Sequence, residues 1–235
     1  MSSPPLRAAL LAIFLLLLGL QPGLARTPPT TPKIPEQVSS PAWEADMQRF
    51  AQADAAHPPK PGGVLFVGSS SIRFWQSLGS DFPGVDTLNR GFGGSEIRDS
   101  SWYAERIVVP YRPRLIVFYA GDNDLNSGRS PQRLRDDFLA FVARVRRDLP
   151  GVRIAYISIK PSPARAALLT QAAEANALIR KAAAGLKQVD FIDVYTPMLD
   201  ADGQARAELF GKDRLHMNAA GYALWRDIVR PYLKR

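Results

Sequence analysis

Five short apolar runs alternate with helical patterns along this chain, and that alternation limits the possible folds more than any other feature. The runs are Val64–Val67 ending at Gly68, Val85–Asn89 ending at Gly91, Leu115–Tyr119 ending at Gly121, Val152–Ile159 and Val189–Val194. Apart from the weaker second run, they are nearly continuous in apolar residues rather than alternating with polar ones, as expected of strands buried on both faces. Helical spacing fills the gaps. Trp43, Met47 and Phe50 share one face of a helix expected over Trp43–Ala56. Ser130-Pro131 supplies a cap and a first-turn proline for a helix carrying Leu134, Phe138, Phe141, Val142 and Val145. Further helices are expected over Ala164–Leu186 and from the cap Asn218 through Val229. Such a pattern predicts an α/β fold with a parallel sheet covered by helices on both sides.

In a sheet of that kind the ligand crevice lies beyond the carboxyl ends of the strands. The rule selects Ser69–Ser71, Gly93–Ser95 and Asp122–Asn126 after the first three strands, and Asp213–His216 before the last helix. The polar and glycine-rich residues concentrate at those four places.

Residues 1–25 read as an export signal: Arg7, an apolar run Ala8–Leu20, then small residues at Gly23 and Ala25 before cleavage. The run falls short of the about 20 residues a membrane span needs, so no stable span is expected after cleavage, with an uncleaved anchor as the other reading. Residues 26–41 contain Pro28, Pro29, Pro32, Pro35 and Pro41 and read as an extended linker. A single domain is expected over residues 42–235, exported to the periplasm or secreted. The absence of cysteine excludes disulfides, thiolate metal sites, lipid attachment through an N-terminal Cys and a Cys nucleophile. The net charge of +8 could attract nucleic acid, but Arg133, Arg135, Arg144, Arg146 and Arg147 fall on one expected helix as a solvated face. No interleaved aromatic residues accompany them, so no nucleic-acid partner is expected.

The chain has two histidines. His57 sits among prolines and reads as an exposed bystander. His216 follows Asp213 by three residues, a spacing at which the carboxylate can fold back, accept Nδ1–H and leave Nε2 free to take a proton. A serine hydroxyl becomes a nucleophile when such a base removes its proton, and a strand-to-helix turn presents it with backbone N–H groups nearby. Local chemistry does not choose among Ser69, Ser70 and Ser71, and all three could equally be helix caps. Gly91, Gly93 and Gly94 could offer backbone N–H groups to a developing oxyanion, or form only a tight turn. Asn123 could offer an amide donor, or close an Asx-turn.

Four blocks in order resemble the SGNH (GDSL-type) hydrolases: Gly68-Ser69-Ser70, Asn89-Arg90-Gly91-Phe92-Gly93-Gly94, Gly121-Asp122-Asn123-Asp124 and Asp213-Arg214-Leu215-His216. The resemblance is nearest to bacterial acylesterases similar to platelet-activating-factor acetylhydrolase catalytic subunits. It implies a flavodoxin-like three-layer α/β/α fold with a parallel five-stranded sheet. It also implies Ser70 as nucleophile, Asp213 and His216 as its catalytic partners, and Ser70, Gly94 and Asn123 as oxyanion donors. No cofactor or metal is implied, and the substrate would be a small-molecule, lipid or carbohydrate ester. The chain departs from the family at Ser69, where an Asp usually braces the nucleophile turn; the Ser hydroxyl can still bond a backbone group there. A second departure puts Met217 where a Pro often follows the histidine.

Other chemistries fit less well. Asp122-Asn123-Asp124-Leu125-Asn126 begins like a calcium loop, but Ser127 and Arg133 replace the Gly and Glu such a loop requires. Gly91-Phe92-Gly93 is followed by Glu96 where a dinucleotide loop needs Gly. Trp75 and Tyr119 could line an acyl pocket or be plain core. The alternatives to an acylesterase are a carbohydrate O-deacetylase using the same residues and a non-catalytic binding module of the cell envelope.

Overall fold

The computed structural model describes Met1 and residues 38–234. The expected export signal, apart from Met1, and residues 26–37 of the linker lie outside the described residues. In chain order the elements are α1 (Trp43–Ala56), β1 (Val64–Gly68), α2 (Ser70–Arg73), α3 (Leu78–Asp81), β2 (Thr87–Gly91), α4 (Ile97–Trp102) and α5 (Ala104–Ile107). They continue with β3 (Leu115–Tyr119), α6 (Asp122–Asn126), α7 (Pro131–Asp148), β4 (Arg153–Ile157), α8 (Leu169–Ala184), β5 (Val189–Ile192) and α9 (Ala219–Leu233).

The five strands are parallel, as the alternation of runs predicts, and lie in the order β2-β1-β3-β4-β5, the flavodoxin-like arrangement that the family resemblance implies. Successive strand residues feed opposite layers. Leu65 and Val67 of β1 join one core cluster with α1, α4, α5, α7 and α8, while Val64 and Phe66 join another with α2, α3 and α9. This two-sided burial is why β1, β3 and β4 read as continuous apolar runs. Phe66 is fully buried between Trp75 and Phe82, so Phe66→Ala would cost about 3–5 kcal/mol. Among the described residues no helix is long and apolar enough to cross a membrane.

The register puts Gly68 level with Gly91 on one side and Tyr119 on the other. The loops after β1, β2 and β3 therefore leave the sheet at one height, where the order of strands reverses. Gly68 has φ +133°, and a Cβ there would lie 1.8 Å from the Tyr119 carbonyl oxygen, so only glycine lets the chain turn at that point.

Several boundaries differ from expectation. The second strand begins at Thr87 rather than Val85, and α2 is a single turn starting at Ser70. The helix expected from Ala164 begins at Leu169, preceded by a 3-10 stretch Pro163–Leu168 in which Arg165 leaves helical geometry at φ −121°, ψ 33°. Contacts to the site, described below, take the place of helix hydrogen bonds there. The last helix runs past Val229 and through Pro231 to Leu233, whose burial against the sheet compensates for the proline's missing donor. Of the basic residues expected on a solvated helix face, Arg144 is buried and pairs with Glu105 and Asp148. The domain's contacts also begin before residue 42: Val38 packs on the core, and Ser39 donates to Asp99 from both its N–H (2.6 Å) and its hydroxyl (2.5 Å).

Candidate active site

The turn after β1 is fixed by its backbone. Ser69 N–H donates to the Tyr119 carbonyl (2.9 Å), and the Ser69 carbonyl accepts from Ile72 (3.0 Å) and Arg73 (3.1 Å). Phe92 N–H donates to Gly68 (2.9 Å), and the Tyr222 hydroxyl donates to the Ser71 carbonyl (3.0 Å). Asn89 ties this turn to β2, donating to the Ile72 carbonyl (2.6 Å) while accepting from Gly91 N–H (2.9 Å). The hydroxyls of Ser69 and Ser71 are buried and have no hydrogen-bond partner among the described residues. The expectation that Ser69 braces the turn through its hydroxyl is therefore not met; backbone bonds and Tyr222 hold it instead.

Ser70 differs from its neighbours. It begins α2, so its N–H has no intrahelical acceptor, and its Oγ lies 3.0 Å from His216 Nε2. The other imidazole nitrogen, Nδ1, is 2.6 Å from Asp213 Oδ2. With Nδ1–H donating to that carboxylate, the neutral ring presents Nε2 as an acceptor for the Ser70 hydroxyl. Asp213 Oδ1 accepts the N–H groups of Leu215 and His216, both at 3.0 Å, with Arg214 left-handed at φ 55° between Asp213 and Leu215. The hydrogen bonds from His216 and from the two backbone N–H groups lower the Asp213 carboxyl to about 2. Asn218, the next polar residue, caps α9 by accepting from Ala220 and Gly221 and also donates to the Glu208 and Phe210 carbonyls. One side chain thus anchors both the histidine loop and the helix that follows it.

The loop after β2 brings Gly94 to the same end of the sheet, at φ +80°, and its N–H donates to no group among the described residues. A Cβ on Gly94 would stand 3.1 Å from the Trp43 ring, so α1 backs this loop. The loop is tied down further on: Glu96 N–H donates to Asp99 (2.7 Å) and Ile97 N–H to Asp124 (3.1 Å). Asn123 on α6 donates from Nδ2 to the Ser95 carbonyl (3.0 Å), linking the loop after β3 to the loop after β2. Burial, reinforced by the neighbouring Glu96 charge, pushes the Asp124 carboxyl well above its ordinary value.

Sequence reasoning missed three side chains here. Phe74, 42% exposed, sets its ring against His216 edge to face with centroids 4.9 Å apart. Lys160 donates to Asp122 (2.9 Å), and Arg165 donates to Asn123 Oδ1 (2.9 Å). Phe74 was legible as a large apolar residue beside the serine turn; Lys160 and Arg165 lie after β4, a strand end that carried no glycine signal. Of the two aromatic pocket candidates, Trp75 and Tyr119, both are buried core residues. His57 is exposed at the end of α1, away from these residues in the fold, at the opposite end of β1.

A family model described as GDSL-like Lipase/Acylhydrolase matches residues 62–224. The fold is similar to that of a Streptococcus pneumonia protein assigned as a platelet activating factor, with TM-score 0.73 and 21% identity over 81% of this chain and 92% of that one. A Bacteroides fragilis protein assigned as an acylhydrolase matches with TM-score 0.71 and 22% identity over 81% and 96% of the two chains. A GDSL-like lipase from Bacteroides thetaiotaomicron matches with TM-score 0.68 and 19% identity over 81% and 98%. No curated protein matches the chain.

Proposed function

Because the chain belongs to the GDSL-like lipase/acylhydrolase family and is a hydrolase, we propose that it cleaves small-molecule esters through an acyl-enzyme on Ser70. The observation that carries this reading is the continuous chain Ser70 Oγ, His216 Nε2 at 3.0 Å, and Asp213 against Nδ1 at 2.6 Å. Ser70 Oγ attacks the ester carbonyl carbon as its proton passes to His216 Nε2, and the carbonyl π electrons move onto oxygen. Asp213 stabilises the imidazolium and holds its orientation. The N–H groups of Ser70 and Gly94 and the Asn123 amide receive the oxyanion, a single side-chain donor of this kind being worth about 3 kcal/mol.

The tetrahedral intermediate collapses, the C–O bond to the alcohol breaks, and the leaving oxygen takes the proton from His216. Water then attacks the acyl-Ser70 ester carbon, giving up a proton to His216; the C–Oγ bond to Ser70 breaks, Oγ takes that proton back from His216, and the acid is released. On the signal pattern of residues 1–25, the setting we infer is the periplasm or the cell exterior. The test is a fluorophosphonate probe, which forms an adduct only with an activated serine. Peptide mapping should find the adduct on Ser70; an adduct on another serine, or none, would refute this reading.

A further inference from the structure

We propose that Arg165 is a positioning residue that holds the Asn123 amide in the one orientation able to donate to the oxyanion. The proposal rests on the reading of Asn123 as an oxyanion donor. A side-chain amide has a donor face and an acceptor face of nearly the same shape. Rotated by half a turn, Asn123 would aim its carbonyl oxygen at the negative charge it should stabilise.

Two fixed partners decide the orientation. The Arg165 guanidinium can only donate, and it reaches Asn123 Oδ1 at 2.9 Å. The Ser95 carbonyl can only accept, and it takes one Nδ2 hydrogen at 3.0 Å. The reversed amide would set donor against donor and acceptor against acceptor, while the observed one leaves its second Nδ2 hydrogen for the substrate.

Arg165 is itself held. Its Nη1 lies 3.2 Å from Asp122 Oδ2, the same oxygen that Lys160 Nζ approaches at 2.9 Å, and the Lys160 side chain is 1% exposed. Burial alone would raise the Asp122 carboxyl; the charges of Lys160 and Arg165 outweigh it and keep the carboxyl below its ordinary value. The preceding residue, Ala164, donates its N–H to the Arg214 carbonyl (3.0 Å), so one short segment braces both Asn123 and the loop bearing Asp213 and His216. That is the physical reason the helix expected from Ala164 starts five residues late.

A role in gripping an anionic substrate fits less well. The Arg165 side chain is 14% exposed, and the recess it lines with Leu125, Ile159 and Leu168 has a cavity volume of about 10 Å³, room for about one water.

The experiment is a double-mutant cycle on hydrolysis of a short-chain nitrophenyl ester, reading kcat and KM for Asn123→Ala, Arg165→Ala and the pair. Asn123→Ala should lower kcat roughly 100-fold or more. Arg165→Ala should lower kcat about 10-fold with KM changed less than about twofold, and the double variant should be no slower than Asn123→Ala alone. The same cycle with Arg165→Lys keeps a charge beside buried Asp122 and serves if Arg165→Ala does not fold. Lysine lacks the planar fork that reaches two partners, so a kcat loss of about three- to tenfold is expected there as well. Losses that multiply in the double variant, or full activity in both Arg165 variants, would overturn the positioning role alone. Full activity in Asn123→Ala would overturn it together with the oxyanion reading.

Discussion

Ser70 Oγ and His216 Nε2 stand 3.0 Å apart although 146 positions separate them in the chain. Two independent supports set that distance. On the serine side, Gly68 lets β1 turn sharply into α2. On the histidine side, Asn218 caps α9 and pins the preceding loop to two carbonyls. Phe74, one turn beyond Ser70, closes over the imidazole from the serine's own segment. The proposed base is therefore held by contacts from two segments far apart in the chain.

Asp213 is the exposed member of this chain of hydrogen bonds, with 53% of its side chain accessible. Solvent screens its charge, so it should support the imidazolium less than a buried carboxylate does. Asp213→Asn is expected to lower kcat about 100-fold, less than the roughly 10,000-fold known for a buried aspartate in the same role. Steady-state kinetics on a short-chain ester measures this; no loss at all would remove Asp213 from the mechanism.

Acid stability follows from the two carboxylates held below their ordinary values. The folded state favours the charged forms of Asp213, lowered to about 2, and of Asp122. Both contribute stability above the ordinary carboxylate range, and the Asp213 part is lost as pH falls from about 4 through 2. Asp122 is buried between two cations, so its protonation should matter more than that of exposed Asp213. Urea unfolding at pH 6 and pH 3 should show a smaller acid loss in Asp213→Asn than in the parent protein. An equal loss in both would contradict the assignment of that part to Asp213.

Ser69 stands where the family usually has an Asp, and its buried hydroxyl has no partner among the described residues. Removing an unsatisfied buried polar atom relieves a desolvation cost, so Ser69→Ala should be neutral or stabilise the fold by up to about 1 kcal/mol. It should also retain activity, because backbone bonds hold the turn. Thermal unfolding together with esterase activity checks both; destabilisation by more than about 1 kcal/mol would mean that the hydroxyl is bonded.

The sheet was legible because its central strands β1, β3 and β4 are buried on both faces and so announce themselves as apolar runs, while β2 and β5 at its edges are only partly buried. The loops at its carboxyl end were legible too, through the glycines at 68, 91 and 121 and the short Asp213–His216 spacing. What stayed hidden lacked periodicity or local meaning. Helices α4 and α5, of 6 and 4 residues, are too short to display a helical repeat. Arg165 lies in an alanine-rich stretch that scores as helix, and its value comes from Asp122 and Asn123, about forty positions away. Arg144 looked like one more charge on a solvated face, yet α7 turns it toward Glu105 on α5. Local chemistry did not choose among Ser69, Ser70 and Ser71; the family resemblance pointed to Ser70, and the fold sets that hydroxyl beside His216 with the other two buried in the turn.

The most direct measurement compares Ser69→Ala, Ser70→Ala and Ser71→Ala for hydrolysis of a short-chain nitrophenyl ester, with circular dichroism to verify folding. Ser70→Ala alone is expected to lose activity, by roughly a million-fold and thus to background, as when a serine nucleophile is removed. Retained hydrolysis in a folded Ser70→Ala protein, with loss in Ser69→Ala or Ser71→Ala, would contradict the assignment of Ser70.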